Sequence, residues 1–268
     1  MNAITQYIVN TSTLDVSSIK IINATKEYIR ALHRTRMVLT YHSSFHMSIT
    51  SVVDKTGPIA ATMSAMTVKM VGPSGAFGNL DLPEVKTKSS GTEVVITDQL
   101  IQITDMAAFR AFVKAIMSDE SLIMRLEDGE TTIKSLGISS KVTYTKDVHL
   151  KGMCGPKTKM VKTEVLSDGT FRNEMLTKNP SALEIDMGIA KYEISNDDGD
   201  VIATQEGKTY IKQGESTTIA EGKVVGGKVK GKSRLKGLGV VEDNWHQVTL
   251  KDLNAPLELS EEFITLVG

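Results

Sequence analysis

The sequence predicts a mostly β chain: two antiparallel β-sandwiches in tandem, the first carrying one amphipathic helix. Three observations lead there. Apolar side chains recur at every second position through both halves. Clusters of Gly, Pro, Asn, Asp and Ser break these runs at short intervals. A single stretch switches to helical spacing. Short strands at this turn spacing argue for immunoglobulin- or fibronectin-like sandwiches rather than a βαβ layer.

In chain order, strand-like alternation appears at Phe45-Met47-Ile49, Met66-Val68-Met70, Val94-Ile96, Ile101-Ile103 and Leu122-Met124-Leu126. Breaks are expected at Thr56-Gly57-Pro58, Val71 to Gly75, Ser89-Ser90-Gly91 and Glu127-Asp128-Gly129. The helix is expected over Met106–Ser118. Asp105 is a natural N-cap, and Met106, Phe109, Phe112, Val113, Ile116 and Met117 form one apolar stripe. Val142, Tyr144, Val148 and Leu150 then mark another strand, with His149 facing outward. Cys154-Gly155-Pro156 is the best boundary, giving domains 5–153 and 154–268. Alternation resumes at Leu183-Ile185-Met187-Ile189 and again from Val224 to Leu235, with a turn at Asn196 to Asp200. Trp245 is expected to anchor the second core.

Composition excludes several classes. The 268 residues carry 31 basic and 32 acidic side chains, so bulk polyanion binding is not implied and no nucleic acid is expected. Aromatics are only 5%, too few for a base-stacking surface. One cysteine, Cys154, rules out an internal disulfide and a cysteine zinc site. No run reaches the roughly 20 apolar residues that span a bilayer, and MNAITQYIVN has no signal-peptide pattern. Of the thirteen methionines, Met63, Met66, Met70, Met106, Met117 and Met124 sit on apolar faces and read as core.

The segments ITDMAAFRAFVKAIM, TTIKSLGISSKVTY and KDVHLKGM resemble a fungal family of uncharacterised proteins with late-embryogenesis-abundant type-2 (water-stress, WHy-like) β-sandwich domains. The resemblance implies a membrane-associated protein on the luminal or extracytoplasmic side of a vacuole-like compartment, with no established reaction. Relatives of this type carry a transmembrane anchor just before a segment like AITQYIVNTSTLDV. The expectation is therefore a missing anchor or a soluble member. The sequons at Asn10 and Asn23 matter only if the chain reaches a secretory lumen.

Against those relatives, residues 26–43 read as an insert, either a basic loop or a translated intron. His33 and His42 within it are accordingly kept out of any site. A weak internal repeat sets Asn23-Ala24-Thr25, continued by Ser44-Phe45-His46-Met47, beside Asn179 to Ile185. GPIAATM then matches GDVIATQ, in keeping with two similar domains.

Residues 226–233 satisfy the P-loop pattern G-x-x-x-x-G-K-[ST] letter for letter. A genuine P-loop opens a helix at its last residues, whereas here Gly237 and Gly239 and a period of two follow. Nucleotide binding is not expected. Read as a strand, Lys228, Lys230, Lys232, Arg234 and Lys236 share one face. That face is either solvated opposite Glu206, Glu215 or Glu221, or a contact for anionic lipid headgroups. His149 and His246 match no metal-ligand spacing, Cys154 has no nucleophile context, and Asp197, Asp198 and Asp200 read as a turn.

No catalytic residue, metal site or cofactor is expected. The function expected is a non-enzymatic structural or interaction module, partnered by membrane lipids or a membrane protein. The alternative is a lipid-binding or lipid-transfer protein with a groove beside the 106–118 helix.

Overall fold

A computed structural model describes residues 2–33, 36–167 and 169–268, with the side chains of residues 2 and 23–43 outside the described set. The insert reading at 26–43 and the sequon at Asn23 thus fall largely outside the described residues. The chain divides into two compact units. Met1–Ile21, Glu27–Phe112 and Ser121–Leu150 form the first; Ile22–Lys26, Val113–Glu120 and Lys151–Gly268 form the second.

The first unit opens with helix α1 (Asn2–Thr11), followed by the long strands β1 (Thr13–His33) and β2 (Arg36–Asp54). β2 lies between β1 and β7 (Thr92–Gln102), pairing antiparallel with the latter. A second sheet runs β5 (Gly75–Leu82), β4 (Met66–Gly72), β8 (Ser121–Ser135), β3 (Thr62–Met63) and β6 (Val85–Lys86), with β9 (Ile138–Lys151) also on β8. Inward side chains of both sheets meet in one core. Ile49, Val94 and Ile96 face Leu80, Leu126 and Val148 around a void of only about 30 Å³.

The break expected at Glu127-Asp128-Gly129 does not end a strand. β8 runs through it, with Asp128 at φ 58° and the chain turned so that Gly129 packs against β4. A Cβ on Gly129 would stand 2.8 Å from the Val68 side chain, so the position accepts only glycine without repacking.

Helix α2 (Met106–Ser118) is capped as expected, since Asp105 Oδ1 accepts from the amides of Ala107 (2.8 Å) and Ala108 (3.0 Å). Phe109 stacks on Phe45 at 5.3 Å, and Phe112 on Phe77 at 4.8 Å. At the other end, the segment KGMCGP closes the helix. The amides of Gly152, Met153, Cys154 and Gly155 donate to the carbonyls of Glu120, Ile116, Asp119 and Met117, satisfying groups a helix terminus leaves orphaned. A Cβ at Gly152 would lie 2.0 Å from the Asp119 carbonyl oxygen, which explains glycine there.

The second unit is not the expected sandwich. β10 (Lys157–Val165), β11 (Thr170–Asn179), β12 (Leu183–Ser195), β13 (Val201–Ile211), β14 (Gly214–Val224), β15 (Ser233–Val240) and β16 (Asn254–Glu258) close into a seven-stranded barrel. The order is β13-β14-β11-β10-β16-β15-β12, and β12 returns to pair with β13. Closure removes both free edges, and irregularities in β12 at Asp186/Gly188 and Ile194/Ser195 supply the bends it needs. Contact between β10 and β16 is parallel, a pairing no alternation pattern reveals.

Short helix α3 (His246–Thr249) and helix α4 (Glu261–Val267) complete the unit. Ser260 caps α4, its Oγ accepting from the Phe263 amide at 3.2 Å. Phe263 is fully buried and meets Phe171 edge-on at 5.1 Å. Beside it runs a buried polar chain. Thr163 Oγ1 donates to Asn173 Oδ1 (2.7 Å), Asn173 Nδ2 to Gln205 Oε1 (2.8 Å), and Ser260 Oγ closes on Thr163 at 2.7 Å. Every link is satisfied, as a buried polar network must be to hold its place.

Three expectations are corrected. α2 is one of several helices, joined by α1, α3 and α4. The strand expected from Val224 to Leu235 is a loop between the end of β14 at Val224 and the start of β15 at Ser233; Gly226, Gly227 and Gly231 take positive φ within it. The GPIAATM and GDVIATQ segments are not equivalent: only Thr62–Met63 of the first is strand, whereas the second enters the eleven-residue β13.

Candidate functional site

An apolar cavity of about 250 Å³ lies beneath α1 in the first unit. Thr5, Ile8, Val9 and Ser12 form its roof. That spacing is one helical face, so α1 presents a single stripe to the space below. β-Branched Ile4, Thr5, Ile8, Val9 and Thr11 are poor helix formers, so docking on the sheets must hold the helix. The floor comes from three adjacent strands in register, with Met63 opposite Val85 on one side and Ile133 on the other. Tyr144 of β9 closes the inner wall, where burial pushes its phenol up to about 12.

Two side-chain devices hold α1 in place. The Gln6 amide docks on the backbone of β9: Nε2 donates to the Thr143 carbonyl (2.8 Å) and Oε1 accepts from its amide (3.0 Å). In effect it plays a strand partner for two bonds. Lys146 is the stranger one. It occupies an inward position between Tyr144 and Val148, only 6% exposed, and its Nζ donates to the carbonyls of Val9 and Ser12, the latter at 2.6 Å. Val9 is in the last turn of α1 and Ser12 follows its end, where partial negative charge gathers and a cation is favoured. Burial still pulls the ammonium down to about 8.

The mouth of the cavity is exposed and apolar. Ile59 and Ile138 line it, as does Leu136, which is 79% exposed at the tip of the β8–β9 hairpin. Leu136 and Gly137 form the two-residue turn, with φ of 49° and 76°. Such a turn favours Asn-Gly or Asp-Gly, and a branched apolar residue in the left-handed region is strained. A hydrophobic residue held out in water on strained backbone is a feature that folding alone does not select.

Beside α2, where a groove was expected, Phe109 and Phe112 are buried against Phe45 and Phe77 among the described residues. Of the five cations read as one strand face, Lys228, Lys230 and Lys232 lie in the 225–232 loop, and only Arg234 and Lys236 lie on β15. Lys230 pairs with Asp198 (3.3 Å), Lys236 with Glu193 (3.5 Å), and Arg234 donates to Asn254. The carboxylates proposed to face them are elsewhere engaged: Glu215 with Lys178 and Glu221 with Arg172. Ser233 begins a strand rather than a helix, so residues 226–233 lack the strand–loop–helix context of a phosphate loop.

Asn10 is exposed on α1 and its Oδ1 accepts from Gln6. Asp197, Asp198 and Asp200 form a turn organised by Asn196, and no group of three or more potential metal ligands occurs among the described residues. Among them, too, no helix is long and apolar enough to cross a membrane.

Lys146 and the α1 stripe escaped the sequence reading. Lys146 falls in phase with Val142, Tyr144, Val148 and Leu150, so a charge at an inward position was the available signal. For α1 it was the spacing of Thr5, Ile8, Val9 and Ser12.

Residues 75–194 match the family described as "Protein of unknown function (DUF3712)". The search of curated proteins returned no match. Among solved structures, the exo-chitosanase CsxA of Amycolatopsis orientalis is 11% identical, with 70% of this chain and 24% of that one covered at a TM-score of 0.22. CBD12 from CALX1.2 is 12% identical, covering 80% and 93%, at 0.23. Red sea bream transglutaminase is 11% identical, covering 89% and 31%, at 0.24. The chain spans about a quarter of the chitosanase (24%), and likenesses of this size carry no argument about fold or activity.

Proposed function

We propose that this is a non-catalytic lipid-binding protein whose first unit receives the apolar end of an amphiphile beneath α1. One observation supports the reading above others: an apolar cavity roofed by a helix opens beside an exposed, strained Leu136. At about 250 Å³ it lies just under the roughly 300–1,000 Å³ of typical small-molecule sites, so it suits a chain end rather than a whole two-chain lipid. Transfer of each methylene from water into such a space is worth about 0.8 kcal/mol.

The resemblance to late-embryogenesis-abundant type-2 domains supplies the setting: a fungal, membrane-associated protein of a vacuole-like, luminal or extracytoplasmic face. A second reading, a structural or interaction module at that membrane, is favoured by the second unit, whose barrel is plugged by Phe263. Native mass spectrometry of the purified chain incubated with a single-chain lysophospholipid tests the cavity. A bound adduct is expected, lost in Ile8→Trp, whose indole fills the space under the helix. No adduct in the wild type, or an equal one in Ile8→Trp, overturns the proposal.

A further inference from the structure

Beside the cavity mouth lies an open trough of about 310 Å³ that borders the same Ala61, Thr87, Ser135 and Leu136. Its floor is the outer face of the same three strands. Thr62 stands opposite Lys86 on one side and opposite Lys134 on the other. Residues facing one another across a sheet share a face, and neighbouring strands are about 4.8 Å apart, which sets the two lysine backbones about 10 Å from each other. Both side chains are exposed, and no carboxylate lines the trough. Elsewhere several exposed strand cations are matched: Lys69 with Asp128, Arg125 with Asp147, Lys159 with Glu258, Arg172 with Glu221.

The alternation of these strands therefore turns apolar Met63, Val85 and Ile133 into the cavity and Lys86 and Lys134 onto the outside, with Leu136 projecting at the end where the two faces meet. This is the order of chemistry across a lipid leaflet: an apolar tip for the acyl layer, with cations set behind it toward the phosphates.

We propose that this end of the first unit docks on a bilayer surface bearing anionic phospholipids, Leu136 entering the acyl layer and Lys86 and Lys134 holding headgroup phosphates. The inference builds on the cavity reading, since it says where the amphiphile is met, but the two can fail separately.

Flotation of the full chain with vesicles tests it, comparing phosphatidylcholine with an equimolar phosphatidylcholine–phosphatidylserine mixture. Binding to the anionic vesicles alone is expected. Lys86→Gln with Lys134→Gln should weaken it roughly 25-fold, at a factor of about five for each cation near a charged surface. Leu136→Asn should weaken it as well, in a chain whose turn is improved and whose fold is thus secure. Lys228→Gln, Lys230→Gln and Lys232→Gln together should leave it unchanged. Retention by the double lysine variant, loss in the loop variant, or equal binding to neutral vesicles would each overturn the docking. If inorganic phosphate displaces the protein at concentrations that leave vesicle charge unscreened, the trough is a free-anion site and the lipid surface is refuted. Should Ile8→Trp still float, the docking surface stands without the cavity; should the wild type take up lysolipid yet fail to float, the cavity stands without the docking surface.

Discussion

Helices α1 and α4 each cover part of their own unit, and they do it in opposite ways. α4 brings an aromatic plug. Phe263 is wholly buried against Phe171, and the cap residue Ser260 joins the polar chain through Thr163 and Asn173. α1 brings only Thr5, Ile8, Val9 and Ser12, and what lies under them is empty space. The first helix is held by polar bonds from β9 instead, through Gln6 and Lys146. A helix that fills its site adds stability to a domain. One that is pinned at its margin leaves room for something else.

The strongest way to break that contrast is to remove the plug. Phe263→Ala is expected to cost about 3–5 kcal/mol in urea unfolding, because a large buried ring leaves a cavity in a closed barrel that cannot collapse. Ile8→Ala, by the same measurement, should cost far less, since Ile8 already borders a void.

A pH titration distinguishes the units next. His246 is 2% exposed, its Nε2 has no hydrogen-bond partner, and burial pushes it down to about 4 against the opposing pull of Asp186. A base whose folded value lies below its unfolded value of about 6.5 binds its proton more readily when unfolded. Stability is therefore complete above pH 6.5 and falls as pH drops toward 4, by about 3 kcal/mol. Thermal melts across this range should show that loss, and His246→Gln should flatten it.

Lys146 works in the same direction at the alkaline end. Its folded value of about 8 lies below the ordinary 10.5, so the first unit gains stability as pH rises from 8 toward 10.5. Lys146→Met removes this dependence but orphans the carbonyls of Val9 and Ser12, at roughly 1–3 kcal/mol. Hydrogen exchange should then accelerate through Asn2–Thr11 ahead of the sheets. Protection unchanged in that helix would show that Lys146 does not pin it.

The smallest effect carries an unusual sign. Leu136→Asn relieves a left-handed leucine and should raise stability by about 1 kcal/mol while weakening vesicle binding. A variant that lost stability would remove the case for strain at the mouth.

Much of the first unit was legible in the residues. Phe45-Met47-Ile49, Met66-Val68-Met70 and Leu122-Met124-Leu126 each face the core as their alternation requires, and Asp105 caps α2 where the pattern changes. The failures share a cause. Glu127-Asp128-Gly129 reads as a turn because its residue types suit positive φ, but a bulge within β8 uses the same chemistry. The cations from Lys228 to Lys236 read as one strand because charge alternates there, although three glycines at positive φ break the strand before Ser233. α1 is poorly legible in the sequence, since its β-branched residues disfavour a helix and only docking on the sheets overrides that preference.

The amino-acid order by itself determined which side chains turn inward, the mostly β content and the start of α2. It did so because burial alternates with a period that local chemistry imposes. The tertiary structure alone decided that the second half closes as a barrel, that Lys146 reaches the end of α1, and that a space stays open beneath that helix. Alternation states only whether a residue faces in or out. Which edge meets which edge, and whether the enclosed volume is filled, depends on strands distant in the chain finding one another.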